Sequence, residues 1–231
     1  MTRTTNARIA GFTFLFYIAV GITSLVLSNR AISGEGIASK LASIAQHASL
    51  VRVDILLTLL QAGCALVLAV TLYALTHDQD RDLAVMALCC RVGEGVVIAT
   101  VSSLVTLALL SVATADTAAA GVDAAAGNAL GALLLKMGDW TGLIAATCFA
   151  VGSTLFSYLL LRGRMIPIPL AWLGVFASIL VVVFLPAQLA GFKIGSFSGL
   201  VGWLMWLPLL VFEVVLALWL LIKGVAAPAT R

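Results

Sequence analysis

Arg91, Glu94 and Glu213 stand inside long apolar runs, and they are the residues from which chemistry must be argued. In a lipid bilayer each such charge costs at least about 2.5–3.5 kcal/mol on insertion scales, so each needs a partner or a purpose. Arg91 and Glu94 are three residues apart, which sets both on one helix face. That face continues as Gly95, Ala99, Ser102 and Thr106 and is expected to point into the bundle. At ~1.5 Å of rise per residue, Arg91 lies about 12 Å and Glu94 about 16 Å from Leu83, while Glu213 lies about 15 Å from Lys223. The three therefore share one depth. Asp54, Thr58 and Gln61 repeat at the i, i+4, i+7 spacing of a stripe, with Gln61 about 15 Å deep by the same rise and Asp54 near the outer mouth. Arg52 sits beside that mouth but off the stripe.

Two kinds of chemistry fit the set of Arg91, Glu94, Glu213 and Gln61. In one, the arginine neutralises one glutamate, the other is protonated or hydrogen-bonded, and the cluster only fixes helix register. In the other, the cluster faces a wet or ligand-filled cavity, where a carboxyl exchanges protons or holds a cationic or hydrogen-bonding ligand. For Arg52 and Asp54 the simpler reading is interfacial snorkelling and ion pairing.

The elements that must position these residues follow from composition. Of 231 residues, 62% are hydrophobic and 10% charged, with a mean hydropathy of +1.16. A soluble domain carries about 25% charged residues, so this chain cannot cover a water-facing surface and reads as an integral membrane protein. Its partner is the lipid bilayer. The net charge of +3 is scattered without a basic block, so nucleic-acid binding has no footprint. Cys64, Cys89, Cys90 and Cys148 lie in apolar runs with no metal-ligand or CxxC spacing, and each reads as a small core residue. His47 and His77 fall in or beside polar connections, which argues against haem held within the bundle. No metal or other cofactor is implied. Neither a nucleophile–base–oxyanion set, nor HExxH, nor a glycine-rich phosphate loop is present, so an enzyme has the least support. Lipid chemistry by a Glu94 and Glu213 carboxyl pair is the one enzymatic reading their common depth permits.

About 20 mostly apolar residues cross the hydrocarbon, and six such spans are expected at 9–28, 51–76, 83–111, 140–162, 169–190 and 200–223. They predict an all-α polytopic bundle forming a single transmembrane domain over 1–231. The run from Ile9 to Leu27 follows a basic start, exceeds a signal core and lacks an Ala-x-Ala site, so it reads as the first span. A short surface helix is expected around Asn128 to Met137 in the third connection. With the N-terminus inside, Arg3, Arg8, Arg81, Arg162, Arg164, Lys223 and Arg231 are cytoplasmic, against Arg30, Lys40, Lys136 and Lys193 outside. The balance favours both termini in the cytoplasm. Trp140, Trp203 and Trp206 near outer ends and Trp172 and Trp219 near inner ends fit an aromatic belt. Pro208 and Pro186 each remove a backbone hydrogen bond within a span. Ala146, Ala150, Ser153 and Ser157 form a small-residue seam suited to close helix packing.

Several motifs recur in a familiar order: Arg8-Ile9-Ala10-Gly11 with Tyr17, Arg52 opening the second span, Arg81-Asp82-Leu83-Ala84 leading to Arg91, Tyr158-Leu159, and Pro167 to Gly174. Glu213 to Leu216 and Trp219-Leu220-Leu221-Ile222-Lys223-Gly224 complete the series. Together they resemble the bacterial membrane family known as domain of unknown function 4386, over nearly the whole chain. The resemblance implies a six-helix protein of the bacterial inner membrane and implies no reaction. Arg52, Arg91 and Glu213 match its pattern; Glu94 stands where the pattern often has glutamine, and Ser157 where it often has glycine. The function expected from these readings is binding or transport of a small amphipathic molecule through the Arg91, Glu94, Glu213 and Gln61 set. The alternative is a structural or regulatory membrane protein in which the cluster only fixes packing.

Overall fold

The computed structural model describes residues 2–115, 124–192 and 200–226. Lys193, Arg231, the side chain of Trp203 and most of the Gly191 to Gly199 connection lie outside the described residues. The described chain is all helix and turn. In order it forms α1 (Arg3–Ala31), α2 (Ile37–Gln46), α3 (Ala48–Thr76), α4 (Arg81–Val97), a π-helical segment (Ile98–Ser102), α5 (Ser103–Thr114), α6 (Ala124–Arg162), α7 (Ile168–Leu189) and α8 (Leu200–Ile222). Six helical stretches among the described residues are long and apolar enough to cross a membrane: Arg3–Ala31, Ala48–Thr76, Arg81–Thr114, Ala124–Arg162, Ile168–Leu189 and Leu204–Ile222.

Three features depart from the expected spans. The third connection does not hold a separate surface helix around Asn128 to Met137, because that segment is the start of α6. Ala, Leu and Lys dominate it, and neither Pro nor a turn cluster separates Met137 from Trp140, so the helix has no reason to stop. At 39 residues α6 is about 58 Å long, well beyond a ~30 Å hydrocarbon layer. The first connection, in turn, contains α2. Cys89 is exposed rather than a core residue, since it lies off the buried Ala84, Ala87 and Arg91 face.

The chain divides into two compact units. The first comprises Met1–Tyr17, Gly63–Gly95 and Leu143–Arg231, and its core gathers Phe14, Leu68, Leu72, Phe156, Leu185 and Leu216. Helices of this unit approach closely where side chains are small, as membrane interiors favour. A Cβ on Gly11 of α1 would stand 2.6 Å from the Ala217 carbonyl oxygen of α8. One on Gly174 of α7 would run into the Phe212 ring and stand 2.7 Å from Ser157 Oγ. Ser157 thus belongs to the packing of α6 on α7, and with Ala150 it is fully buried along the small-residue seam.

One end of this unit is polar. Asp80 caps α4, accepting the Leu83 N–H at 3.2 Å, and its other oxygen accepts from Arg162 at 2.9 Å. The Leu83 amide first, and then Arg162, hold the Asp80 carboxyl below its usual range. Arg3 donates to the Leu75 carbonyl at 3.1 Å, satisfying a helix-end acceptor. Pro167 and Pro169 then start α7, where missing amides cost nothing.

The second unit comprises Ile18–Ala62 and Val96–Gly142. Its core holds Ile44, Val51, Ile55, Leu109, Leu110 and Leu134, with α2 packed on α5. The π-helical segment falls in this unit, at its start of the third span. Ser103 Oγ reaches the Ile98 carbonyl five residues back, at 3.5 Å, the reach of a π turn. The wider turn rotates the expected stripe off register: Ser103, not Ser102, is buried beyond it, while Ser102 and Thr106 are half-buried.

Candidate functional site

Arg91, Glu94 and Glu213 all belong to the first unit and all are buried, with exposures of 1%, 1% and 6%. The i, i+3 spacing on α4 brings Arg91 Nη1 to 2.9 Å from Glu94 Oε2. From α1, the Tyr17 hydroxyl donates to the other Glu94 oxygen, Oε1, at 2.6 Å. Glu213 on α8 stands within electrostatic range of both Arg91 and Glu94. Arg91 and Glu94, of common depth in the sequence, are thus in contact, and Glu213 lies within electrostatic range of them.

Arg91 is enclosed by aromatic faces. Its guanidinium carbon lies 4.8 Å from the centre of the Phe149 ring and 5.6 Å from that of Tyr17. Each face offers negative quadrupole potential to a cation that has lost its water. Phe149 is itself tilted against Trp206, 6.1 Å centre to centre. The arginine stem runs along α6 where it passes Gly152: a Cβ there would stand 2.9 Å from Arg91 Cγ and 3.1 Å from Cδ. Two helices, α1 and α6, thus deliver the rings, the hydroxyl and the gap that surround the guanidinium.

Its hydrogen bonding is incomplete among the described residues. Arg91 Nε, Nη1 and Nη2, Glu94 Oε2 and Glu213 Oε1 are buried without a hydrogen-bond partner. The 2.9 Å contact of Arg91 with Glu94 is close enough for an ion pair but not aligned as a hydrogen bond. A guanidinium presents five donors in a rigid fork, so the site holds donors and acceptors ready for further polar atoms. One guanidinium thus stands with two carboxyls in this buried set.

The other sequence candidates lie in the second unit. Gln61 packs against α1 there, its Nε2 3.1 Å from where a Cβ on Gly21 would stand. Asp54 accepts from Ser24 at 2.5 Å. The expected pairing of Asp54 with Arg52 does not form among the described residues: Arg52 is exposed, one helical position off the stripe that carries Asp54 inward. Side chains two apart on a helix do not face each other.

Tyr17, Phe149 and Gly152 complete the Arg91 environment, and spacing alone did not single them out. Each lies on a helix remote in sequence from Arg91. Tyr17 carried two signals, as one of few aromatic hydroxyls in the spans and as part of the motif series that the family resemblance rests on.

Helix lengths, apolar surfaces and a buried charged core define an α-helical, multi-pass membrane protein. Residues 9–224 match the family described as Domain of unknown function (DUF4386), and the chain belongs to it. No curated protein and no solved structure matches the chain.

Proposed function

We propose that this protein binds or transports a small amphipathic molecule, with Arg91, Glu94 and Glu213 as the polar part of its site. The observation that carries this reading is the set of buried donors and acceptors without hydrogen-bond partners among the described residues, Arg91 Nε and Nη2 and Glu213 Oε1, beside the Arg91–Glu94 ion pair. Such groups cost about 1–3 kcal/mol each when left unmade, and a bound polar group that satisfied them would recover that cost. Glu213 is the titrating group, Arg91 its counter-charge, and Glu94, anchored by Tyr17, the fixed anion. Gln61, expected from its depth to orient the ligand, belongs to the second unit and is not part of this site.

Native mass spectrometry of the protein in mild detergent, wild type against Glu213→Gln, tests this. A stoichiometric small molecule lost only in the variant is the expected result. Bulk phospholipid alone in both samples refutes it. A second reading, in which the cluster only holds α1, α4, α6 and α8 together, is favoured by the aromatic enclosure of Arg91.

The same proposal sets the chain in a bacterial cytoplasmic membrane with both termini in the cytoplasm. Seven basic residues against four support it, as the positive-inside rule weighs them. Reporter fusions at the C-terminus and within the third connection should give opposite sidedness; equal signals at both would refute the orientation.

A further inference from the structure

The second unit contains a cavity of about 270 Å³, at the small end of ligand pockets. Its lining is divided by chemistry. Asp54 and Asp139 supply carboxylates and Ser102 and Thr106 hydroxyls, while Val105 and Leu109 belong to an aliphatic remainder. Asp54 is half-buried and has Ser24 as its hydrogen-bond partner, with no salt bridge among the described residues. Asp139 is exposed, marking where the cavity opens, and feels the charge of Lys40. One lysine against two carboxylates leaves an anionic pocket with apolar walls.

We propose that this cavity is a binding site for a small primary or secondary amine with an aliphatic body, its ammonium held by Asp54, with Asp139 adding negative charge at the opening, and its chain lying on Val105 and Leu109. The lining decides between cations. A bare metal ion needs oxygen ligands on most sides, whereas most residues here are aliphatic. A quaternary ammonium is usually caged by aromatic faces, and among the described residues no aromatic side chain lines this cavity. A protonated amine has N–H donors for the carboxylates and hydroxyls and a body for the aliphatic wall. The π-helical segment contributes to the same place, since Ser102 ends it and Thr106 Oγ donates to the Ser102 carbonyl at 2.9 Å. Turns of this kind recur at functional sites because they re-aim side chains. This site is separate from the Arg91 cluster and stands or falls without it.

The test is titration of the purified full chain in detergent with n-hexylamine, with n-hexanol as the neutral control, read as a saturable rise in Tm and by calorimetry. Saturable binding of the amine but not the alcohol is expected. Asp54→Asn should weaken it roughly ten- to hundredfold, the loss of one charge-assisted hydrogen bond. Asp78→Asn, which removes an equal charge at an exposed turn, should leave it unchanged. Should Asp54→Asn fail to fold, Leu109→Trp fills the cavity without touching a charge and should likewise abolish saturation. Equal responses to amine and alcohol would mean partition into the micelle, and these, or full affinity in both cavity variants, would overturn the proposal.

Discussion

Replacing Arg91 by Met removes the single cation from a closed set of two carboxyls while keeping the length of the stem that passes Gly152. Glu94, 1% exposed, would keep only the Tyr17 hydrogen bond, and Glu213 would lose its counter-charge. Stranding one partner of a buried ion pair costs about 3–5 kcal/mol. Adding Glu94→Met removes the stranded charge, and the thioethers gain sulfur contacts with the Tyr17 and Phe149 rings. We therefore expect the double variant to be more stable than Arg91→Met alone by about 1–3 kcal/mol, within the range of coupling between touching residues. Recovery stays incomplete because Glu213 and the Tyr17 hydroxyl remain; adding Tyr17→Phe should return a further ~1 kcal/mol or more. The assay is reversible unfolding in mixed micelles of rising dodecyl sulfate fraction, followed by helical circular dichroism. A double variant no more stable than Arg91→Met, or an Arg91→Met cost under ~1 kcal/mol, would refute the buried-pair account.

Three further outcomes follow from the packing. Phe149→Leu should cost more in wild type than in Arg91→Met, the difference being the ring's attraction for the guanidinium, about 0.5–2 kcal/mol by the same unfolding assay. Gly11→Val should destabilise by about 1–3 kcal/mol, because the added carbon meets the Ala217 backbone rather than a movable side chain; an unchanged Tm would refute that close approach. Asp80 gives a pH dependence. Its carboxyl is held below its ordinary value of 3.8, so its contribution is fully present above that value and is lost as pH falls through the lower folded one. Wild-type Tm should therefore drop on acidification below 3.8 more steeply than that of Asp80→Asn, and parallel curves would count against the cap.

Much of this protein is legible one residue at a time. The six apolar stretches could be located because burying backbone amides in hydrocarbon leaves only helices as a solution. Arg91, Glu94 and Glu213 stood out for the same reason, as charges in such stretches are costly enough to be rare. The start of α4 is legible too, since Asp80 and Asp82 carry a cap and a favourable dipole charge in the first turn. The extent of α6 was not, because hydropathy locates a span but does not say where a well-formed helix ends outside it.

What the sequence by itself determined was therefore class, spans and the depth of the charged residues, all set by the solvent in which each segment must lie. The tertiary structure decided which side chains meet. Tyr17 came to Glu94 and Phe149 to Arg91 from helices far off in sequence, and Asp54 turned to Ser24 instead of Arg52. Depth is a one-dimensional quantity that hydropathy encodes. Proximity depends on helix rotation and neighbour order, which small residues such as Gly11, Gly152 and Gly174 settle only once their partners are in contact. The register shift at Ile98–Ser102 is the same case on one helix: an inserted π turn changes which residues face inward without altering the composition that foretold the span.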